Sequence, residues 1–250
     1  MRQYLFKIKE NGFEAFFVGG YVRDRILGKE TFDVDIATNA SLSDLEKIFR
    51  KENYRVNLWC LTIEKNPYHI QITPYRKEGK YTDYRHPDNI EAVSSIIEDS
   101  QRRDFTINAL YEDENGKIFD FHQGIFHLKE KKLVTVQEAE KSIKEDPLRI
   151  LRALRFCSCY QLTMEKSLEK AIIHHKYLLE NVSFYRKKQE LEKIYYKGDL
   201  SIIKKYHLQS YFKLKEDYQK GEDIYEFWKQ VDRSYYPFTK EELNNIKKES

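Results

Sequence analysis

Two aspartates alternate with apolar residues in the segment FDVDIA. Side chains of a strand alternate between its two faces, so Asp33 and Asp35 are predicted to share one face. Phe32, Val34 and Ile36 are then predicted to face the core. Carboxylates held side by side repel one another unless a cation lies between them. Oxygen ligands at this spacing favour Mg²⁺, which takes further ligands from the phosphates of a substrate.

A pair of glycines precedes these aspartates, in FFVGGYVRDRILG. An apolar strand is predicted to end at Val18, and Gly19 and Gly20 permit a tight turn with close backbone approach. A short helix is predicted to follow up to Gly28, and the N-terminus of a helix offers N–H groups to a phosphate. Arg23 in its first turn would add a charged fork for phosphate oxygens. Together with the aspartates, the segment predicts a triphosphate held near Mg²⁺.

A third motif, EDPLRILRALRF, has the pattern of a helix with a favourable N-terminal cap, one basic side and one apolar side. Asp146 fits an N-cap and Pro147 fits the first helical position. Arginines recur every third residue beside a stripe of leucines, and the residues concerned are Arg149, Arg152, Arg155, Leu148, Leu151 and Leu154. A basic edge beside a buried edge would suit the wall of a nucleotide pocket.

In this order, the motifs resemble the tRNA nucleotidyltransferase and bacterial poly(A) polymerase family, in its bacterial and eukaryotic class. GGYVRD and DVDIA resemble its catalytic signature, RRDFTINAL its ribose-binding motif, and EDPLRILRALRF its base-template helix. VSFYRKKQELEKI resembles a helix of the next domain, and YRKEGKYTDYRHPDNIEAV resembles the flexible loop before the ribose motif. The resemblance implies an α+β fold, with a polymerase-beta-like nucleotidyltransferase head followed by an all-α neck and a shortened body.

The resemblance also implies roles for single residues. Asp33 and Asp35 would hold two Mg²⁺ ions, one lowering the pKa of the RNA 3′-hydroxyl and one clamping the pyrophosphate. Arg103 and Asp104 would lie near the incoming ribose, although a buried Arg–Asp pair that braces the head would give the same sequence. Asn108 in the same motif is predicted to bind the nucleotide.

Base choice is predicted to lie on the template helix. Cytosine and adenine share an edge with an amino donor beside a ring-nitrogen acceptor. Asp146 accepts only and Arg149 donates only, so the two complement that edge and reject uracil and guanine. Arg152 and Arg155 are predicted to bind the nucleotide as well, and Gly19, Gly20 and Arg23 are predicted to bind its phosphates.

Three features depart from the family pattern. Gln71 in HIQITPYR stands where family members usually have an acidic residue, and His127 in GIFHLKEKKL stands where another is usual. Glutamine still offers a carbonyl oxygen, but it brings no negative charge. The helical portion is also short, which leaves little chain for the tail that usually contacts the tRNA elbow.

The chain of 250 residues changes character near position 137. Before it, β-rich runs alternate with helical patterns such as SLSDLEKIFRKE, and the runs are AFFVGG, FDVDIAT, YHIQITPY and KKLVTV. After it, Leu, Ile, Lys and Glu recur at helical spacing, and Gly198 and Gly221 are predicted to separate helices. We therefore predict a catalytic head at 1–137 and a helical neck and body at 138–250 that binds the base and the tRNA.

Composition limits the partners and the compartment. A net charge of +3 says little, but FYRKKQELEKIYYKG and IIKKYHLQSYFKLK interleave basic residues with tyrosines, as phosphate contacts and base stacking would require. Solvated helix faces have the same composition. No apolar run approaches the roughly 20 residues that span a bilayer, and MRQYLFKIKE lacks the apolar centre of a signal peptide. We predict a cytoplasmic protein without a membrane partner, whose three cysteines are free thiols.

The predicted activity is addition of the CCA end to the 3′ end of tRNA from CTP and ATP. Partial enzymes that add only CC or only A, and a poly(A) polymerase, share the same chemistry. The loop argues against CC-only addition, since enzymes of that kind tend to lack it, and we expect it to act in the final A addition. A catalytically weak RNA-binding protein is the alternative from another class, motivated by Gln71 and the short helical portion.

Overall fold

The computed structural model describes residues 1–57, 59–79 and 90–231. It divides into two compact units, Met1–Glu138 and Ala139–Ser250. This division lies one residue beyond the boundary predicted from the sequence. Most of the predicted flexible loop, residues 80–89, lies outside the described residues.

The first unit mixes helices and strands. Its helices are α1 (Arg2–Lys9), α2 (Gly20–Ile26), α3 (Leu42–Ile48), α4 (Ile96–Gln101) and α5 (Gly124–Lys129), with a 3₁₀ turn at Thr106–Asn108. Its strands are β1 (Ala15–Val18), β2 (Asp33–Thr38), β3 (Tyr54–Val56), β4 (Leu61–Lys65), β5 (Tyr68–Pro74), β6 (Arg76–Glu78), β7 (Ile90–Ala92), β8 (Leu110–Glu112), β9 (Ile118–Asp120) and β10 (Lys132–Leu133).

Within the described residues, seven strands form one sheet in the order β3-β4-β5-β2-β1-β8-β9. β2 runs parallel to β5 and antiparallel to β1, and the other pairs are antiparallel. Residues paired directly across strands share a face of the sheet. The register pairs Asp35 with Gln71 of β5 and with Val18 of β1, so all three lie on the face that carries the aspartates.

The opposite face of the sheet carries the main core of the head. Val34 and Ile36 are buried there, as predicted, together with residues of α1, α2 and α3. The same prediction for Phe32 is wrong, because Phe32 precedes the first residue of β2 and is 42% exposed. Its ring packs instead on that of Tyr68, with 5.7 Å between the centroids.

A smaller apolar cluster lies on the face of the aspartates. Val18, Ala37, Tyr75 and Tyr111 are buried in it. β6 follows Tyr75 directly and pairs with β7, so part of the segment predicted as a loop is a strand. This cluster lies next to the carboxylates, since Val18 pairs with Asp35 across β1 and β2.

The second unit is mainly helical in its described part. Its helices are α6 (Ala139–Glu145), α7 (Leu148–Tyr160), α8 (Lys166–His175), α9 (Phe184–Lys197), α10 (Ser201–Lys205) and α11 (Ile224–Trp228). β11 (Thr163–Met164) and 3₁₀ turns at Lys176–Asn181 and Gln209–Phe212 complete it. The leucine stripe of α7 is buried, as predicted. Gly198 caps the C-terminus of α9, and Gly221 has a φ of 73°.

The three cysteines are free thiols, with Cys60 and Cys157 buried and Cys159 half-buried. Burial raises the pKa of the Cys157 thiol to about 12. Among the helices of the described residues, none has the length and the apolar character that a bilayer crossing requires.

Candidate active site

The predicted pair of carboxylates stands on β2, next to β5. Asp33 is exposed and Asp35 is half-buried, and the parallel register places them beside His69 and Gln71. The prediction that they share one face of a strand is confirmed by this pairing. Both offer carboxylate oxygens on the face of the sheet opposite the main core.

The glycine turn brings three motifs together. Gly19 has φ 72° and ψ −133°, and its N–H donates to the carbonyl of Leu110 at 3.2 Å. A Cβ at this position would lie 3.6 Å from Asp35 Oδ2 and 3.7 Å from Arg103 Nη1. Gly19 therefore keeps open a space bounded by a carboxylate and a guanidinium. Gly20, which was predicted to lie in the turn before the helix, is instead the first residue of α2.

Arg23 is buried, and its guanidinium is engaged within the protein. Nε and Nη2 donate to the two carboxylate oxygens of Asp24 at 2.9 Å each, and Nη1 donates to Asn108 Oδ1 at 2.6 Å. Asn108 Nδ2 donates in turn to Asp104 Oδ1 at 3.1 Å. The fork predicted for phosphate thus binds Asp24 in this structure, and Arg23 links α2 to the RRDFTINAL segment.

Arg103 does form a buried ion pair, but its partner is Asp99 rather than Asp104. Nη2 donates to Asp99 Oδ2 at 3.0 Å, and Nε donates to the Tyr111 hydroxyl at 2.8 Å. Arg102 Nε donates to Asp99 Oδ1 at 2.9 Å, so one carboxylate holds both arginines. Asp104 is buried as well, and its Oδ1 accepts the backbone N–H of Phe105 at 2.7 Å.

Asp99 was missed by the sequence interpretation. Burial would raise the pKa of its carboxyl, but Arg103, Arg102 and the Tyr111 hydroxyl outweigh burial and hold that pKa well below its usual range. The signal in the sequence was an acidic residue three and four positions before two arginines. At that spacing the side chains of a helix meet on one face, and α4 ends at Gln101 just before them.

Gln71 belongs to a chain of three polar side chains. Its Nε2 lies 3.0 Å from His69 Nε2, and His69 Nδ1 lies 2.7 Å from Glu64 Oε1. An amide nitrogen only donates, so His69 Nε2 accepts from it and Nδ1–H donates to the carboxylate. The departure from the family pattern is thus built into the sheet, because His69 holds the amide nitrogen of Gln71.

These residues fit a divalent metal ion. Asp33 and Asp35 could offer hard oxygen ligands, and the space in front of Gly19 is one that a Cβ would fill. Asp35 Oδ2 borders that space directly. A metal ion held there would polarise phosphate oxygens and lower the pKa of an attacking hydroxyl.

His127 lies elsewhere in the head. Its Nδ1 lies 3.0 Å from Thr106 Oγ1, in the 3₁₀ turn of the RRDFTINAL segment, and burial lowers the pKa of the imidazole. The histidine therefore supports the turn that contains Asn108, and it does so from a position where the family pattern predicted an acidic residue.

In the second unit, the start of α7 holds the residues predicted to choose the base. Arg149 is buried, and its Nη1 donates to Ser142 Oγ at 2.8 Å and approaches Glu145 Oε2 at 3.7 Å. Asp146 Oδ1 accepts the N–H of Leu148 at 3.1 Å. Its carboxylate also accepts from Arg186 Nη2, at 3.3 Å to Oδ2.

The cap of α7 differs slightly from the prediction. Pro147, rather than Asp146, is the N-cap residue, and Leu148 is the first helical residue. The Asp146 carboxylate nevertheless supplies the capping hydrogen bond. Helix ends shift by a residue according to how they are defined, so the chemistry of the cap is unchanged.

The other two arginines of α7 do not form an exposed basic edge. Arg155 Nε donates to Glu190 Oε2 at 2.6 Å, and its guanidinium lies 4.1 Å from the centroid of the Phe156 ring. Arg152 is half-buried and lies 5.6 Å from the same ring. α9 therefore supplies two partners here, Glu190 for Arg155 of α7 and Arg186 for Asp146, which lies just before α7. Glu190 and Arg186 both lie in the segment VSFYRKKQELEKI. Its resemblance to a family helix did not identify either residue as a functional one.

A mixed sheet that carries two carboxylates beside a glycine turn defines a nucleotidyltransferase head. Residues 15–134 match the family model described as the poly A polymerase head domain. The chain belongs to the tRNA nucleotidyltransferase and poly(A) polymerase family. CCA-adding nucleotidyltransferases are metal-dependent.

Relatives and solved structures agree with this assignment. The chain is 42% identical over 195 residues to a CCA-adding enzyme of Lactococcus lactis subsp. cremoris (strain MG1363), an alignment covering 75% of this chain and 48% of the relative. It matches the Bacillus stearothermophilus CCA-adding enzyme in complex with CTP at 30% identity and a TM-score of 0.74, covering 90% of this chain and 54% of that one. A tRNA nucleotidyltransferase complexed with a primer tRNA and an incoming ATP analog matches at 29% identity and a TM-score of 0.66, covering 81% and 60%.

The predicted α+β fold, with a nucleotidyltransferase head and helices, is confirmed by these matches. The chain spans about half the length of the curated relatives it matches, namely 48%. The assigned roles of single site residues stay predictions.

Replacing Gly19 by Ala should damage the site and the fold together. The φ of 72° with ψ −133° is a conformation that L side chains rarely adopt, so a loss of about 1 to 3 kcal/mol in the free energy of unfolding is expected. The added methyl group would also fill the space beside Asp35. Urea denaturation and Mg²⁺-dependent nucleotide binding measure the two effects.

Gly28→Ala is the matched control for Gly19. Gly28 has a φ of 66°, but a Cβ there would meet nothing within 4 Å. Both variants should lose stability, and only Gly19→Ala should lose nucleotide binding. Equal nucleotide binding by the two variants would show that the space in front of Gly19 is not a binding space.

Asp99→Asn should lower the free energy of unfolding by about 3 to 5 kcal/mol at neutral pH, because it leaves Arg103 and Arg102 without a buried counter-charge. The folded-state pKa of Asp99 is depressed, so its stabilising contribution is present above the unfolded pKa of about 3.9 and is lost as the pH falls toward the folded value. The difference between wild type and variant should therefore shrink below about pH 4. Glu98→Gln, at an exposed position of the same helix, is the control and should show neither effect.

Proposed function

We propose that this protein adds C and A nucleotides to the 3′ end of tRNA without a nucleic-acid template, using CTP and ATP and releasing pyrophosphate. The observation that carries the proposal is the space in front of Gly19, where a Cβ on this residue would lie 3.6 Å from Asp35 Oδ2 and 3.7 Å from Arg103 Nη1. At this space the glycine turn, the paired carboxylates and the RRDFTINAL segment meet. The names of the relatives, CCA-adding enzyme and tRNA nucleotidyltransferase, support the choice of substrate.

In the proposed reaction, the 3′-hydroxyl oxygen of the RNA attacks the α-phosphorus of the nucleotide. The bond from this phosphorus to the bridging oxygen breaks, and pyrophosphate leaves. Asp33 and Asp35 would hold Mg²⁺, which lowers the pKa of the hydroxyl and neutralises charge on the leaving group. Arg103 would stabilise negative charge beside Asp35, from a position fixed by Asp99 and Tyr111.

The helical unit would choose the base. Ser142 and Arg186 hold Arg149 and Asp146 in defined orientations, at 2.8 and 3.3 Å respectively. A donor and an acceptor fixed in this way complement cytosine and adenine, and a wrong base would leave polar groups unpaired at about 1 to 3 kcal/mol each. Selection without a template strand requires no more than this pair.

α9 is the proposed element for RNA contact. Tyr185 and Tyr196 on this helix are 68% and 64% exposed, and basic residues lie between them in the sequence. Exposed aromatic rings beside basic side chains suit base stacking and phosphate contact.

Partial enzymes that add only CC or only A remain within this proposal. The weak RNA-binding protein is the second candidate, and it is favoured by one observation: an amide, Gln71, lies beside Asp35 where the family usually has an acid. Incubation with tRNA lacking its 3′ end, Mg²⁺ and each labelled nucleotide in turn separates these functions. Incorporation of both C and A supports the proposal, and binding without incorporation supports the second candidate.

Asp35→Ala should reduce nucleotide transfer by roughly a thousandfold, since a metal clamp supplies several kcal/mol of transition-state stabilisation. The fold and tRNA binding should persist, because the change also relieves the repulsion between the two carboxylates. Single-turnover incorporation of labelled CTP measures the loss. Glu46→Ala, an exposed acidic residue on α3, is the control. Near-normal turnover by Asp35→Ala would contradict the metal role.

Gln71→Glu is the second arm of this experiment. A carboxylate beside Asp35 should tighten Mg²⁺ binding, measured by calorimetry in the absence of nucleotide. An unchanged Mg²⁺ affinity in Gln71→Glu would place Gln71 outside the metal site. The conclusion from Asp35→Ala would not be affected.

Arg149→Ala should lower the use of CTP and ATP together and admit relatively more UTP and GTP, by on the order of tenfold to a hundredfold in relative preference. The reason is that the helix would lose its fixed donor while keeping its acceptor, Asp146. Incorporation of all four nucleotides by wild type and variant, at one Mg²⁺ concentration, measures the change.

Ser142→Ala separates base choice from stability, because Arg149 is itself buried. It removes the hydroxyl that accepts from Arg149 and leaves the guanidinium in place. A smaller shift in the same direction is expected. Full preference for CTP and ATP in both variants would place the base-selecting residues elsewhere.

A further inference from the structure

His175 occupies a core position of α8 that its neighbours fill with apolar side chains. Leu168, Ala171 and Ile172 are buried on the same helix, and His175 continues this stripe at 5% exposure. A stripe of this spacing normally continues with an apolar residue. The imidazole is therefore buried where a leucine would be expected.

Both ring nitrogens of His175 are buried and lack a hydrogen-bond partner within the described residues. Leaving a buried polar group unpaired destabilises a fold, so such a group calls for an explanation. A carboxylate lies close to the ring, since Glu140 Oε2 of α6 is 3.6 Å from Nε2. That separation is longer than a hydrogen bond, but it leaves room for an ion between the two atoms.

A second histidine lies beside the first. His174 Nδ1 is 3.9 Å from Glu140 Oε1, and the rings of His174 and His175 are stacked with 4.6 Å between their centroids. One ligand atom from each of the three residues lies within 4.8 Å of the others. In a tetrahedral zinc site, ligand atoms stand about 3.4 Å apart. The side chain of His174 is 73% exposed, so it can rotate to close the remaining distance.

From this cluster, we infer that Glu140, His174 and His175 form a binding site for a zinc-class divalent ion. Two imidazoles and a carboxylate suit Zn²⁺ and its spectroscopic substitute Co²⁺ better than Mg²⁺, which prefers oxygen ligands alone. Water would complete the coordination on the exposed side. Lys144 Nζ lies 3.3 Å from Glu140 Oε2 and would move aside, since its side chain is 54% exposed.

The ion would connect α6 to the C-terminal end of α8. α6 also carries Ser142, whose hydroxyl accepts from Arg149 at 2.8 Å. A metal that fixes α6 would thus fix the residue that orients this arginine. The consequence for base choice rests on the proposed function, whereas metal binding itself does not.

The test uses the full chain carrying Asp33→Ala and Asp35→Ala, so that the carboxylates of the head contribute no metal binding and transfer activity plays no part. After removal of metals with a chelator, the protein is titrated with Co²⁺ and then with Zn²⁺. One equivalent of Co²⁺ should bind with the visible spectrum of a tetrahedral site containing nitrogen ligands, and Zn²⁺ should displace it. Saturating Zn²⁺ should raise Tm by several degrees, whereas Mg²⁺ should do neither.

Variants of exposed ligands keep the test independent of folding. Glu140→Gln and His174→Ala should each weaken Co²⁺ binding at least about tenfold, and Lys144→Ala should leave it equal or tighter. The matched controls are Glu180→Gln and His207→Asn, which remove an exposed carboxylate and an exposed imidazole of the same unit. Asparagine is used because His207 has a φ of 54°.

Three results would overturn the inference. The first is the absence of a cobalt spectrum and of a Tm shift with Zn²⁺. The second is metal binding that Glu140→Gln and His174→Ala leave unchanged. The third is equal weakening by the control variants, which would mean adventitious binding to surface groups only.

Discussion

Two carboxylates on one face of one strand repel each other, and the head is arranged around that repulsion. The strand neighbours paired with Asp35 are uncharged, namely Val18 and Gln71. Positive charge reaches the space beside Asp35 from Arg103, which Asp99 and Tyr111 hold in place by hydrogen bonds at 3.0 and 2.8 Å. The counter-charge is therefore fixed by the protein, so its position does not have to be established anew when a ligand arrives.

The helical unit repeats this arrangement with different partners. Arg149 is held by Ser142 and Arg155 by Glu190, while Arg186 contacts Asp146. Long side chains lose conformational entropy when a ligand orders them, and here that loss has already occurred in folding. Buried ion pairs contribute little net stability, so their value in α7 and α9 lies in orientation.

The local motifs could be predicted from the sequence, and the long-range partners could not. The aspartate pair, the glycine turn and the leucine stripe of α7 follow from period and residue type. Glu190 could not be assigned, because its partner Arg155 lies 35 residues away in the sequence. The spacing of Asp99 to Arg102 and Arg103 did indicate a pair, but nothing in the sequence showed that this carboxylate is buried. The contact between Arg23 and its neighbour Asp24 was also not predicted, and the role of Arg23 at the phosphates stays a prediction. Phe32 was placed one residue inside a strand that begins at Asp33.

Gln71 leaves the acidic face with one negative charge fewer than the usual acidic residue of the family would give it. Fewer carboxylates hold a bare cation less strongly, but they also repel an incoming triphosphate less. On the proposed chemistry, Asp33, Asp35 and Gln71 would therefore favour a metal ion that is already bound to the nucleotide over the free cation. The rate of transfer would then follow the concentration of the metal–nucleotide complex rather than that of the free cation.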